Sequence, residues 1–215
     1  MFDDRTTAGR ALAESLAQYR GRNDVIVLAL PRGGVPVAFE VAQALGAELD
    51  VLVVRKLGVP FQPELAMGAI ASGGAVYRNM EVLRLAQVSE REFETVLARE
   101  RTELQRREAL YRGARPPLQV NGRIVIVVDD GMATGASLHA GLAAMRMLRP
   151  AKLVAAVPVA PPDAVERLAG LADDFICIAA PEDFHAVGQF YRRFDQTSDD
   201  EVRDLLARSR EGKAS

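Results

Sequence analysis

The chain has 215 residues, of which 49% are hydrophobic and 26% charged, a composition that suits one α/β domain with a sizeable core and an appended element. Its formal net charge of -2 supplies no global basic field for nucleic acid or anionic lipid. The lone Cys177 excludes an internal disulfide or a cysteine-based zinc site, residues 1–10 lack a secretory signal pattern, and no apolar run nears the roughly 18 residues of a membrane span, so a cytoplasmic protein is expected.

Helical spacing first occurs over residues 7–19, with Leu12, Leu16 and Tyr19 on one face. Apolar runs of strand length then alternate with helical patterns. Residues 25–30 read as a buried strand, 35–45 as a helix stopped by Gly46, and 49–54 as a second strand. Residues 57–122 interrupt the rhythm. Gly68, Gly73 and Gly74 predict a hairpin within 65–77. Ser89 with Glu92 forms a capping box that opens a helix over 89–111, supported by Glu103–Arg107 and Glu108–Arg112 pairs four apart. This helix is arginine-rich, either as a solvated face or as an anion-attracting rim.

The alternation resumes with a strand at 124–128, a helix at 137–148 and a strand at 153–159. A helix at 161–171 and a strand at 175–178 follow, the latter carrying Cys177 as a core thiol. Continuous apolar strands separated by helices predict a parallel sheet covered on both faces. Residues 181–194 hold Phe184, Phe190, Tyr191 and Phe194. A second capping box, Ser198 with Glu201, opens a terminal helix through about Arg208.

The chemistry concentrates at residues 124–137. A buried strand ends in Asp129 and Asp130, then a small-residue loop leads into a helix. Ligands of parallel α/β sheets sit beyond the carboxyl ends of the strands. Ala133, Thr134, Gly135, Ala136 and Ser137 leave backbone N–H groups accessible at a helix start, where an anion is favoured, and Thr134 and Ser137 add hydroxyls. Two acids beside a phosphate cradle would repel a bare phosphate. A sugar phosphate resolves the conflict, because its hydroxyls or an associated divalent metal can face the carboxylates. Neither a Walker A loop nor a dinucleotide fingerprint is present.

This segment resembles the signature of the type I phosphoribosyltransferases, and specifically a bacterial branch with Asp-Asp-Gly-Met-Ala-Thr-Gly. Gly131 stands where many members have Val or Ile. Leu30-Pro31-Arg32-Gly33-Gly34 is similar to the family's pyrophosphate loop, and Arg55-Lys56 to its cationic pair. The resemblance implies a Rossmann-like parallel-sheet α/β fold in a single domain. Its core would span about 25–180, with a flexible insertion over 57–122 and a hood over 181–208 joined by the N-terminal helix.

It further implies transfer of the phosphoribosyl group from phosphoribosyl pyrophosphate to a small acceptor that the sequence does not identify, a nucleobase-like ring being one candidate. Asp129 and Asp130 would be catalytic, residues 133–137 would hold the 5-phosphate, and Arg32, Gly33, Gly34, Arg55 and Lys56 would meet pyrophosphate. Mg2+ would be bound largely through substrate oxygens, near Asp129 and Asp130. Phe184 and His185 of the hood would face the acceptor, although the hood aromatics could equally serve packing. Members often carry a further cation on the loop after Arg-Lys, whereas residues 57–77 contain none. Arg78, the arginine-rich helix or another subunit of a homo-oligomer would have to supply it. Two alternatives stay open: a non-catalytic sensor of phosphoribosyl pyrophosphate, and a phosphate-ester enzyme using water as nucleophile.

Overall fold

The computed structural model describes residues 1–113, 115–168 and 170–211. The chain begins with helix α1 (Arg5–Ser15), strand β1 (Val25–Ala29), helix α2 (Gly34–Leu45) and strand β2 (Glu48–Val51). Strands β3 (Val54–Val59), β4 (Gln62–Ala71) and β5 (Ala75–Arg78) come next, followed by helices α3 (Met80–Leu85) and α4 (Glu90–Arg112). The second half runs through β6 (Ile124–Val128), α5 (Ala136–Met147), β7 (Lys152–Val159), α6 (Ala164–Arg167), β8 (Asp174–Ala179) and α7 (Asp199–Glu211).

Five strands form a parallel sheet in the order β2-β1-β6-β7-β8. The pleat sends alternate residues to opposite faces. Val25, Val27, Ile126 and Val128 enter one core with α1, α2, α4 and α7, while Ile26, Leu28, Val125 and Val127 enter the other with α5. Burial on both faces explains why β1 and β6 read as unbroken apolar runs. Each fully buried Val, Ile or Leu contributes about 1.5–3 kcal/mol relative to exposure, so these central strands anchor the loops that follow them.

The described residues of 57–122 contribute to a second sheet, antiparallel β3-β4-β5, and form two helices. The expected hairpin is therefore one turn of a three-stranded unit beginning at Val54. Helix α4 carries the full capping box: Ser89 N donates to Glu92 Oε2 at 2.9 Å, and Glu92 N donates to Ser89 Oγ at 3.3 Å. Its carboxyl end is fastened by a buried charge cluster. Asp50 of β2 accepts from Arg112 at 3.0 Å and pairs with Arg115 at 2.9 Å, all three side chains being at most 10% exposed. This pairing takes Arg112 away from the expected Glu108 partner; Glu108 Oε1 is left buried without a hydrogen bond.

Several local expectations change. The apolar run 49–54 is divided: its first part pairs with β1, and the chain then leaves the parallel sheet before Val54 starts β3. The helix expected over 161–171 is a single turn, Ala164–Arg167, and Ala169 lies outside the described residues. Strand β8 is the sheet edge, so Cys177 is half-buried rather than a core thiol; burial still pushes its thiol pKa up. No described helix is long and apolar enough to cross a membrane.

Candidate active site

Strands β1 and β6 are parallel neighbours in register, with Ala29 opposite Val128. The segments leaving their carboxyl ends must therefore meet. Leu30 N donates to Val128 O at 2.9 Å, continuing the ladder one step beyond β1. The Pro31–Arg32 peptide is cis. Gly33 and Gly34 then pass directly against the two acids. A Cβ on Gly34 would lie 2.8 Å from Val128 O and 2.9 Å from Asp129 Cα, and one on Gly33 would collide with the Asp130 carboxylate. Only glycine permits this approach. The two sequence motifs thus form one surface, with backbone of the 30–34 loop beside Asp129 and Asp130.

Asp130 N donates to Asp129 Oδ1 at 2.9 Å. The half-buried Asp129 carboxyl is pushed well above the usual carboxylate range, first by desolvation and then by the neighbouring Asp130 charge. On the far side of the acids, Met132 N donates to Val159 O at 2.9 Å, and the Met132 side chain is buried beneath the cradle. Gly135 has φ +75°, and a Cβ there would lie 2.7 Å from Met132 Cε. This left-handed residue is the N-cap of α5, so the helix begins at Ala136, one residue before the expected Ser137. Ala133, Thr134 and Ser137 line the helix start, and all three are exposed. Arg167 Nη1 donates to Ala133 O at 2.9 Å. It thereby brings a cation to the cradle that sequence reasoning had not singled out.

The C-terminal segment closes over the acids, together with the start of the chain. Tyr191 Oη donates to Asp130 O at 2.6 Å, and burial pushes its phenol pKa up. Phe2 pairs with Tyr191 in an isolated parallel bridge, its ring centroid 5.6 Å from that of Tyr191. Arg5 Nε donates to Asp130 Oδ2 at 2.8 Å. Val187 packs against Gly131, where an added Cβ would lie 2.5 Å from Val187 Cγ1. Of the expected hood contacts, Phe184 is stacked on Phe190 at 5.4 Å between centroids, while His185 is exposed beside Asp183 at 3.0 Å. Arg5, Tyr191 and Val187, none singled out in the sequence as site residues, are the side chains that physically reach the acid motif.

The expected cations are distributed differently from the sequence picture. Arg32 follows Pro31 in the loop that meets the acids and lies 3.8 Å from Asp199, which also accepts from Tyr111 Oη at 2.7 Å. Arg55 and Lys56 do not close a parallel strand; they lie near the start of β3, because the chain changes sheets after Val51. Arg55 is paired with the buried Glu100 of α4 at 2.7 Å. Lys56 is exposed and lines a cavity of about 480 Å3 with Arg91, Thr95 and Arg99 of α4. Arg78 is held by Glu90 and Glu94, each at 2.8 Å, and lies 4.1 Å from the Phe93 ring centroid.

As for a metal, the described residues contain no cluster of three or more His, Cys, Asp or Glu side chains suited to one. Asp129 and Asp130 offer hard oxygen donors of the kind Mg2+ accepts, but too few for its octahedral shell. The donor set therefore fits Mg2+ carried mainly by substrate oxygens and water, with these carboxylates at its margin.

Comparison with known proteins places this geometry. The description "Phosphoribosyl transferase domain" applies to the family profile matching residues 3–195. Two Mycobacterium tuberculosis proteins, "Putative phosphoribosyl transferase Rv0571c" and its counterpart MT0597, are each 53% identical over 209 residues. The match covers 97% of this chain and 47% of theirs, so the chain spans about half the length of these relatives. The crystal structure of TT1426 from Thermus thermophilus superposes with TM-score 0.87 at 45% identity, covering 96% of this chain and 98% of that one. With its acid pair, glycine loop and helix-start loop gathered beyond the carboxyl ends of the interior strands β1 and β6, the chain belongs to the phosphoribosyl transferase domain family.

Proposed function

We propose that the domain transfers the 5-phosphoribosyl group of phosphoribosyl pyrophosphate to a small-molecule acceptor and releases pyrophosphate. The observation that carries this reading is the direct apposition of Gly33 and Gly34 with Asp129 and Asp130, beside a cradle opening α5. The 5-phosphate would sit on the N–H groups of 133–137, assisted by the Thr134 and Ser137 hydroxyls. Pyrophosphate would lie along the 30–34 loop with Arg32. Asp129 and Asp130 would accept from the ribose hydroxyls between them.

In the reaction the bond from C1 to the pyrophosphate oxygen breaks, with the electron pair leaving on pyrophosphate, and a bond from C1 to the acceptor forms. Positive charge develops on the ribose in the transition state, and the two carboxylates face it. Positioning and fixed electrostatics then carry catalysis, without a protein nucleophile. Mg2+ would neutralise the leaving pyrophosphate. The acceptor would enter from the hood, where the Phe184–Phe190 stack offers an aromatic surface and His185 an exposed imidazole. A cytoplasmic setting accords with the average charge and single cysteine.

The experiment is an acceptor screen with phosphoribosyl pyrophosphate and magnesium, read by mass spectrometry and pyrophosphate release, on wild type, Asp129→Asn and Asp130→Asn. The carboxylates face a cation present only in the transition state, so their loss should lower turnover more than affinity. At least one variant should keep measurable binding while losing roughly a hundredfold in turnover, as for deletion of one electrostatic stabiliser. Wild-type turnover in both variants would remove the chemistry from this acid pair.

A second reading, a sensor that binds the same ligand without turning it over, is favoured by one observation. Arg78, the first basic residue after Lys56, is committed to Glu90, Glu94 and Phe93. Tight binding without pyrophosphate release under any acceptor would select that reading.

A further inference from the structure

Arg5 is the first residue of α1, yet it makes its contacts with the acid motif and the C-terminal segment. Its Nε donates to Asp130 Oδ2 at 2.8 Å, and its Nη1 donates to the Asp195 carbonyl at 2.6 Å. Its guanidinium carbon lies 3.9 Å from the Phe194 ring centroid. The Arg5 and Asp130 side chains are only 12% and 14% exposed. A planar guanidinium can use an edge for the carboxylate and a face for the ring at once; a lysine ammonium cannot reproduce both. The backbone beneath Arg5 is fixed too, because Asp4 caps α1 by accepting from Thr7 N at 2.9 Å.

Asp130 is constrained through the same oxygen from the other side, since Oδ2 lies against Gly33. Its Oδ1 accepts no hydrogen bond from any described residue, so one carboxylate oxygen is engaged and the other remains available. We propose that Arg5 is a positioning residue: it fixes the Asp130 carboxylate so that Oδ1 is presented to the ribose hydroxyls. The same side chain ties α1 and the C-terminal segment to the site, so the contact that orients the acid also joins these two segments to it. This role rests on the phosphoribosyl reading above.

The test compares wild type, Arg5→Ala and Arg5→Lys by calorimetry with two probes, magnesium phosphoribosyl pyrophosphate and magnesium pyrophosphate. Pyrophosphate has no ribose, so it makes none of the ribose hydroxyl contacts assigned to Asp130 Oδ1 and meets Asp130 only through the Gly33 backbone and the margin of its metal. Arg5→Ala should lose about tenfold or more in affinity for phosphoribosyl pyrophosphate, the scale of one charged hydrogen bond. It should keep its affinity for pyrophosphate. Arg5→Lys, which preserves the charge if the alanine variant folds poorly, should fall between. An equal loss for both probes makes Arg5 a structural staple and overturns the proposal, as does unchanged affinity for phosphoribosyl pyrophosphate. Wild-type protein that takes up no phosphoribosyl pyrophosphate overturns the underlying reading itself.

Discussion

Gly131 and Val187 interlock across the boundary between the acid motif and the C-terminal segment. The residue after the acid pair is a glycine, and the space a Cβ there would occupy is filled by Val187 Cγ1 and Cγ2, with Val159 Cγ1 behind. Gly131→Val should overpack this contact and cost about 1–3 kcal/mol in urea unfolding. Combining it with Val187→Ala should recover part of that cost, because the two sites share one volume. Strictly additive losses in the double variant would show that the two side chains do not compete.

Among the described residues, Asp50 is the most deeply buried charged residue, 4% exposed. Asp50→Ala would leave Arg112 and Arg115 as buried, uncompensated charges at the junction of β2 and α4. Breaking a buried pair from one side typically costs about 3–5 kcal/mol, and chemical denaturation should register a loss of that size. A cost within that of an ordinary surface substitution would mean that the cluster is hydrated.

Asp129 predicts a pH-dependent cost of maintaining the site. Its folded-state pKa is raised above the ordinary 3.8, so between the two values the folded chain binds more protons than the unfolded chain. The stabilising contribution is fully present below the unfolded pKa and is lost as pH rises through the folded one. Asp129→Asn should therefore raise the melting temperature at pH 8 relative to wild type and do little near pH 4, with the difference growing monotonically between. A variant less stable than wild type at pH 8 would reverse the sign of this linkage.

Much of this organisation is legible in the chain itself. Strands buried on both faces announce themselves as unbroken apolar runs, which is why β6 falls where Ile124 to Val128 predicts it. The Ser89–Glu92 box marks α4 because both partners are local. The 49–54 run misleads because apolar composition persists while the chain changes sheets, and composition carries no record of hydrogen-bond partners. That displacement carries Arg55 and Lys56 into the antiparallel unit, where α4 captures Arg55. Arg5 and Tyr191 were illegible for a different reason. They reach Asp130 across 125 and 61 residues, and neither periodicity nor capping encodes contacts at that range. Gly131 was visible as a departure, but its cause, Val187, became apparent only in three dimensions.

The most direct test of the central claim is isothermal titration calorimetry of magnesium phosphoribosyl pyrophosphate into wild type and Gly135→Val. Gly135 holds φ +75° over Met132, so valine both strains the backbone and crowds the cradle. Its circular dichroism should still show the parallel-sheet fold, at a stability cost of about 1–3 kcal/mol for the strained residue. The account predicts saturable heat for one site per wild-type chain and none for the folded glycine variant. An absence of heat with wild type, or undiminished binding by the variant, would contradict it.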